Sequence, residues 1–309
     1  TAAAAIDDLT LDQLAARVAD GTLTEIKGLG RRTRQVVAES LDGAAPEYLA
    51  NLRDDEPLAT GGRELRALLR GDLHSHTDWS DGGSSIAEMA RVAAWRGREY
   101  QVITDHSPRL RVANGLSADR LARQLDVIAE VDDAHEDLRL LPGIEVDILD
   151  DGRLDQSPEL LDRLDVVVAS VHSKLRAESD QMTRRMVRAV ADPHTNVLGH
   201  CTGRLVEGGR GTRPQSTFDA EMVFEACAHF DVAVEINSRP ERQDPPDDLI
   251  GLALEAGCLF AIDTDAHAPG QLDFLDLGAE RAAAHDIDPD RIVTTWPVDR
   301  LLAWSHAKR

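Results

Sequence analysis

The feature of this sequence that most restricts its fold is a regular alternation of short apolar segments with helical patterns from residue 72 onward. Strand-helix alternation predicts a parallel sheet, and strands that are apolar throughout indicate that both faces of the sheet are covered. With an opening strand at Asp72, there are seven strand candidates. The other six run over Tyr100 to His106, Leu138 to Asp147, Val166 to His172, Asn196 to His200, Val232 to Asn237 and Leu259 to His267.

Polar residues end nearly every one of these apolar segments. In an open sheet, functional residues gather at one switch point, whereas in a closed barrel they come from the ends of many strands. The pattern therefore predicts an α/β protein whose seven βα units close into a barrel.

The opening strand carries two histidines, His74 and His76, at positions i and i+2. That spacing turns both imidazoles toward the same face of a strand. Asp81 follows in a Ser-Asp-Gly turn that can return to the same space. Imidazole and carboxylate groups are common metal ligands. Taken alone, the pair has an equally ordinary interpretation as a chance motif on a solvated strand.

The same chemistry recurs at the ends of the other strands, where six of the eleven histidines lie with carboxylates between them. A single histidine in such a place is more often structural than a ligand. Six on one rim of a barrel indicate a multinuclear metal site.

These motifs resemble those of the PHP (polymerase and histidinol phosphatase) family, most closely the PHP domain attached to bacterial family X DNA polymerases. The resemblance covers residues 72 to about 305. It is carried by Asp-Leu-His-Ser-His-Thr, Ile-Thr-Asp-His-Ser-Pro, Gly-Ile-Glu-Val-Asp, Ser-Val-His-Ser-Lys, Gly-His-Cys-Thr-Gly-Arg, Val-Glu-Ile-Asn and Asp-Thr-Asp-Ala-His.

The resemblance implies a distorted (β/α)7 barrel that holds two or three divalent ions of Zn, Mn or Fe. An amidohydrolase barrel, which also opens with His-x-His, is the alternative. The Asp-x-His sequence and Glu145 favour PHP. Position by position, the implied metal ligands are His74, His76, Asp81, His106, Glu145, His172, His200, Asp265 and His267.

Such a site predicts a phosphoric ester hydrolase, because ions about 3.5–4 Å apart activate a hydroxide and bind the attacking and leaving oxygens at phosphorus. We expect Glu145 to bridge two ions, and Arg204 and Lys174 to bind the substrate phosphate. Asp105 and Asp263 lie beside ligands. Either they orient imidazoles or they are buried carboxylates satisfied elsewhere.

The N-terminal segment has a different character. Apolar residues recur at helical spacing on both sides of Gly28-Leu29-Gly30, and Lys27, Arg31, Arg32 and Arg34 crowd that turn. The turn resembles a helix-hairpin-helix, a motif that binds the DNA backbone, although Lys27 stands where proline is usual and Arg34 where a small residue normally packs. A plain helical turn with solvated basic residues is the alternative.

Two domains are expected from this division. Residues 1–60 would form a small all-α helix-hairpin-helix segment with its linker, and residues 61–309 the barrel, with a short helix over Arg63 to Leu69.

Composition narrows the function. The net charge of −22 disfavours a general nucleic-acid binder, although bound divalent ions would reverse the sign locally. No apolar run is long enough to span a bilayer, and three cysteines without a Cys-x-x-Cys motif fit a reducing cytoplasm.

Two kinds of substrate stay open. One is a DNA 3′ end, processed by a 3′-5′ exonuclease, 3′-phosphatase or abasic-site nuclease, as in DNA repair. The other is a small phosphate ester such as histidinol phosphate. The complete ligand set disfavours a non-catalytic accessory role.

Overall fold

A computed structural model describes residues 5–6, 9–43, 58–209 and 211–308. The chain divides into two compact units, Thr1–Pro57 and Leu58–Arg309. The predicted linker lies partly outside the described residues, as does most of the alanine-rich start.

The first unit is helical. Helix α1 (Leu11–Ala19) begins with a capping box, in which the Thr10 hydroxyl accepts from the Gln13 backbone N–H and the Gln13 side chain accepts from the Thr10 backbone N–H. A 3₁₀ turn (Thr22–Glu25) follows, and helix α2 (Arg31–Leu41) completes the described part of the unit. Its small core consists of Leu14, Leu23 and Leu29. Two helices flank the glycine turn as the sequence predicts, and the assignment of that turn to a helix-hairpin-helix stays a prediction.

The second unit contains seven parallel strands in the order β1 to β7. A parallel bridge between Ser75 and Ala266 brings the chain beyond β1 against the chain beyond β7. The barrel is thereby nearly closed, which confirms the predicted distorted (β/α)7 fold. The strands are β1 (Gly71–Asp72), β2 (Tyr100–Ile103), β3 (Arg139–Asp147), β4 (Val166–Ser170), β5 (Val197–Leu198), β6 (Ala233–Asn237) and β7 (Leu259–Asp263).

Helices surround these strands. The first confirms the short helix expected before the barrel and ends one residue earlier. The helices are α3 (Arg63–Leu68), α4 (Ile86–Trp95), α5 (Ala118–Asp132), α6 (Pro158–Leu161), α7 (Ser179–Val190), α8 (Ala220–His229), α9 (Asp247–Glu255), α10 (Leu275–Ala284) and α11 (Val298–His306). Among the described residues, no helix has the length and hydropathy needed to cross a bilayer.

Side-chain alternation along β3 shows how each strand serves two surfaces. Ile144 and Val146 pack outward in the core beneath the helices, whereas Leu141 packs in the barrel interior. Glu145 lies four residues beyond Leu141 and shares its face, so the strand carries an apolar residue low in the barrel and a carboxylate high in it. Gly143 lies between them, where an added Cβ would come within 2.6 Å of Val102 Cγ1.

The lower interior forms a continuous apolar floor. Val102, Val166 and Val168 from the strands pack in the same cluster as Trp296 and Trp304 from the C-terminal segment. The two tryptophan rings meet edge to face with centroids 6.0 Å apart. Burial of these largely apolar side chains closes the amino-terminal end of the barrel.

Candidate metal centre

All nine predicted ligands lie at the carboxyl ends of the strands or in the segments directly after them. Most are beyond the last paired residue, because the strands are shorter than predicted. Strand β4 ends at Ser170, two residues before His172, and β7 ends at Asp263, two residues before Asp265. The nine side chains form four groups whose ligand atoms lie within 4.8 Å of one another. These groups are His76, Asp81, His106 and His267; His74, His76 and Asp265; His74, Glu145 and His200; and His106, Glu145 and His172.

Glu145 belongs to two of these groups and is buried between them. Its Oε1 lies 2.8 Å from His200 Nε2 and 3.1 Å from His172 Nε2. Its Oε2 lies 2.9 Å from His106 Nδ1 and 3.3 Å from His74 Nε2. A carboxylate with both oxygens facing imidazole nitrogens is able to bridge two ions, and the bridging role of Glu145 stays a prediction.

The electrostatics of Glu145 reflect this crowding. Burial would raise the pKa of the carboxyl group, but the imidazoles of His172, His106 and His74 outweigh burial and hold the pKa well below its usual range. Burial likewise opposes the charged form of His172, yet Glu145 and Asp147 raise its pKa to about 9. The centre therefore depends on opposite charges that face one another at short range.

The buried nitrogen atoms of the centre fit bound metal ions. Five histidines have ring nitrogens that are shielded from solvent and make no hydrogen bond: His74, His76, His106, His172 and His200. Such orphaned buried polar atoms are costly in a folded protein. His106 Nδ1 and His172 Nε2 approach Glu145 closely without hydrogen-bond geometry. Donor atoms directed at a shared point, rather than at each other, are what a metal site requires.

A second group is more exposed to solvent than Glu145. Asp81 Oδ1 lies 3.5 Å from both His106 Nε2 and His267 Nε2. Asp265 is the carboxylate of the adjoining group, with Oδ1 3.4 Å from His76 Nε2. It adopts the left-handed conformation at φ 51°, an uncommon one for a residue other than glycine.

Two carboxylates, Glu235 and Asp147, orient imidazoles, a role that was not predicted from the sequence. His74 Nδ1 lies 2.5 Å from Glu235 Oε1, and His172 Nδ1 lies 2.8 Å from Asp147 Oδ1. Each contact leaves the opposite ring nitrogen, Nε2, directed at the centre. The signal for Asp147 was its position two residues after Glu145, on the same face of β3.

Asp105 and Asp263 do not contact an imidazole as Glu235 and Asp147 do; their hydrogen bonds go to other groups. Asp105 accepts hydrogen bonds from the Thr77 backbone N–H at 2.8 Å and from its hydroxyl at 2.6 Å, and also from Gln124. Asp263 accepts from the Leu73 backbone N–H at 2.8 Å. Both carboxylates therefore fix the chain around His74 and His76 and orient backbone rather than an imidazole.

A cavity of about 600 Å³ opens above the centre and carries arginines that the sequence analysis did not single out. Arg176, Arg213 and Arg242 line it together with His106 and His267. Arg242 is buried, and its Nε donates to Asp265 Oδ2 at 2.9 Å. The Arg242 guanidinium therefore contacts a predicted metal ligand and also lines the cavity in which a substrate would lie.

The two predicted phosphate-binding residues lie elsewhere. Arg204 donates from Nε to the Arg242 carbonyl at 3.1 Å and from Nη2 to the Gln243 carbonyl, and it is not among the residues that line this cavity. Lys174 lines a second cavity of about 260 Å³ and pairs with Asp150 at 2.6 Å. Their phosphate-binding roles stay predictions.

Comparisons with known proteins agree with this geometry. Residues 72–239 match the PHP domain family. The DNA polymerase/3′-5′ exonuclease PolX of Bacillus subtilis is 38% identical over 214 residues, which are 69% of this chain and 37% of that protein. The chain thus spans little more than a third of that relative's length.

Two shorter proteins are also similar. A protein of Caldanaerobacter subterraneus subsp. tengcongensis named a probable phosphatase is 29% identical over 264 residues, 81% of this chain and 95% of that protein. A crystal structure from Listeria monocytogenes, described as a candidate histidinol phosphatase, covers 65% of this chain and 97% of its own, with 17% identity and a TM-score of 0.51. The last similarity concerns the fold alone.

The barrel, the ligand groups on its rim and the family match together define a phosphoric ester hydrolase. The chain belongs to the PHP domain family. This result confirms the predicted resemblance and decides against the amidohydrolase alternative.

Proposed function

We propose that this protein is a metal-dependent phosphoesterase that acts on DNA 3′ ends, with two or three Zn, Mn or Fe ions held by the nine predicted ligands. The observation that carries the choice of DNA is a set of basic residues around the site, here called the cationic rim. It consists of Arg109, Lys174, Arg176, Arg213 and Arg242, which line the two cavities above the centre.

The cationic rim is continuous from one cavity to the other. The cavities adjoin, since Leu110 and His172 line both. Apart from the ligands Asp81 and Asp265, the acidic residues of their walls are Asp147, which pairs with His172, and Asp150, which pairs with Lys174. In a chain of net charge −22, this concentration of cations favours a substrate with more than one phosphate.

The residues divide the reaction between them. Bound ions supply an activated nucleophile at neutral pH and neutralise charge on the reacting phosphate. Glu145 and the imidazoles would hold the ions. Glu235 and Asp147 fix the rings of His74 and His172, and Arg242 lies where it can bind a nonbridging phosphate oxygen. Water adds to phosphorus, the P–O ester bond breaks, and the 3′ hydroxyl leaves with a proton.

The relatives favour different substrates. Similarity to a polymerase/3′-5′ exonuclease supports a DNA end. The protein that this chain covers almost completely is named a phosphatase, which supports a small phosphate ester such as histidinol phosphate as the second candidate.

A direct comparison of substrates tests the proposal. The Mn²⁺-reconstituted protein is assayed with a 3′-phosphorylated oligonucleotide and with histidinol phosphate, and we expect a higher kcat/KM on DNA. Replacement of Arg176 by Gln should weaken the DNA reaction several-fold at low salt and less at high salt. The matched control is Arg184→Gln, an exposed arginine on α7 outside both cavities. Faster hydrolysis of histidinol phosphate, with no effect of Arg176→Gln on DNA, would contradict the proposal.

A further inference from the structure

An apolar projection stands at the mouth of the larger cavity. The side chain of Val112 is 95% exposed, the largest exposed fraction among the large hydrophobic side chains in the described part of the chain. Val112 and Leu110 line the same cavity as Asp81, His106 and His267. We call these two residues, Leu110 and Val112, the apolar lip.

The apolar lip is part of an ordered turn. The Leu116 backbone N–H donates to the His106 carbonyl at 2.7 Å, and the Gly115 N–H donates to the Leu110 carbonyl at 3.1 Å. Arg120 Nη1 donates to the Asn114 carbonyl at 2.7 Å from outside the turn. Because these bonds close the segment upon itself, Val112 is held out in water by a fixed backbone.

Gly115 shows how tightly this turn closes. A Cβ at this position would lie 1.9 Å from the Ser107 carbonyl oxygen, so no side chain fits there. The turn is also anchored to the barrel, since the Arg109 backbone N–H donates to Asp155 Oδ2 at 2.6 Å. The apolar lip therefore needs no rearrangement before a substrate arrives, which lowers the entropic cost of a contact with it.

Charge identifies the chemistry of the occupant. Arg109 precedes the apolar lip in sequence and Arg111 lies between its two residues, and both arginines are exposed. Arg176 and Arg213 line the same cavity. An apolar surface among cations matches a nucleotide, which presents a flat base between phosphates. Small esters such as glycerol phosphate have a phosphate but no such face.

We propose that Leu110 and Val112 bind the face of the terminal base of a DNA strand and thereby determine specificity for an end that carries a base. The inference rests on the proposed function, since it requires DNA at this site. Aliphatic side chains bind a base less strongly than aromatic ones do, so the expected effect is moderate.

The test uses the metal-loaded full chain and three substrates. These are a 3′-phosphorylated oligonucleotide with its terminal base, the same oligonucleotide without that base, and glycerol 3-phosphate. We expect Val112→Ser to lower kcat/KM on the intact end about three- to tenfold and to leave the other two substrates unchanged. The wild-type protein should lose a similar factor when the base is removed. Val112→Ile should retain wild-type activity, and Met222→Ser, at an exposed methionine of α8, is the matched control.

Three other outcomes would overturn the inference, and each has its own meaning. Equal loss on all three substrates would show that Val112 only supports the turn. If Val112→Ser hydrolyses the intact end as fast as the wild-type protein does, the apolar lip does not bind the base, and the proposed function is unaffected. Wild-type protein that hydrolyses glycerol 3-phosphate but neither oligonucleotide would overturn both.

Discussion

The two ends of the barrel interior are built from the same strands by opposite means. Low in the barrel, Leu141, Val166 and Val168 pack against the C-terminal tryptophans and bury no charge. At the carboxyl ends of the same strands, Glu145 is buried and His172 is half-buried among further ionisable groups. The apolar side chains of the floor pack against one another, whereas the histidines at the carboxyl ends have buried ring nitrogens without a hydrogen-bond partner. We infer from this difference that the apolar floor stabilises the fold, whereas the ligand groups at the carboxyl ends of the strands require bound ions to satisfy their buried nitrogen atoms.

The largest expected effect is the loss of kcat when Glu145, at the carboxyl ends of the strands, is replaced. Glu145→Gln keeps the volume of the side chain but removes the charge that faces the imidazoles of both adjoining groups. We expect kcat on a phosphate ester to fall by about a thousandfold or more, while the far-ultraviolet circular dichroism spectrum is retained. Glu130→Gln, on the exposed side of α5, is the control. Wild-type turnover in Glu145→Gln would place the chemistry elsewhere.

The floor should behave in the opposite way. Leu141→Ala removes a buried side chain from the apolar cluster and should lower the free energy of unfolding by about 2–5 kcal/mol. Denaturant unfolding of the metal-loaded protein measures the loss. At a temperature where the variant is folded, the number of bound ions per chain should equal that of the wild type. If the folded Leu141→Ala variant bound fewer ions than the wild type, metal binding at the carboxyl ends would depend on packing in the floor, which contradicts this expectation.

These two expectations follow from residues that the sequence could identify. That the nine candidate ligands would lie together was predictable because they follow apolar segments, and the ends of parallel strands meet on one rim wherever each strand stops. The exact strand ends were not predictable. Strand β4 ends at Ser170, two residues before His172.

The surroundings of the ligands were harder to predict. Glu235 and Asp147 orient histidines that lie far from them in sequence. The position of Asp147, two residues after Glu145, indicates only that the two carboxylates share a face of β3 and does not identify His172 as its partner. Arg176 and Arg213 reach the cavity through loops whose conformation depends on tertiary contacts, while Arg204, which follows a histidine motif directly, donates to backbone carbonyls instead. Local pattern therefore predicts which residues lie on the rim, and loop geometry decides what they face.

A smaller effect is expected from the carboxylates that support the rim. Asp147→Asn removes the charge that holds His172 by its Nδ1 atom, and metal affinity should fall about 10- to 100-fold. Because the ligands themselves remain, activity should return as Mn²⁺ concentration is raised. Asp151→Asn, at an exposed position on the 150–152 turn, is the control. Activity that stays low at saturating Mn²⁺ would mean that Asp147 does more than position His172.

The smallest effect concerns the first unit, none of whose described residues belongs to the apolar floor cluster or to the ligand groups. Deletion of residues 1–57 keeps Thr60, whose backbone N–H donates to Glu280 at 2.9 Å, and removes the basic glycine turn. If that turn binds the DNA backbone, action on DNA should weaken several-fold. The effect should shrink as salt rises, with a slope of about 0.9 per phosphate contact on duplex DNA. Hydrolysis of a small chromogenic phosphate ester should be unchanged, and an equal loss on both substrates would show that these helices support the barrel instead.

Metal content tests the contrast between floor and rim most directly. The protein is reconstituted with Mn²⁺ or Zn²⁺, freed of loosely bound ions, and analysed for metal per chain alongside its thermal unfolding before and after chelation. The account predicts two or three ions per chain and a lower melting temperature once they are removed, since ions that bind only the folded state stabilise it. Fewer than one ion per chain, with no change in melting temperature on chelation, would contradict it.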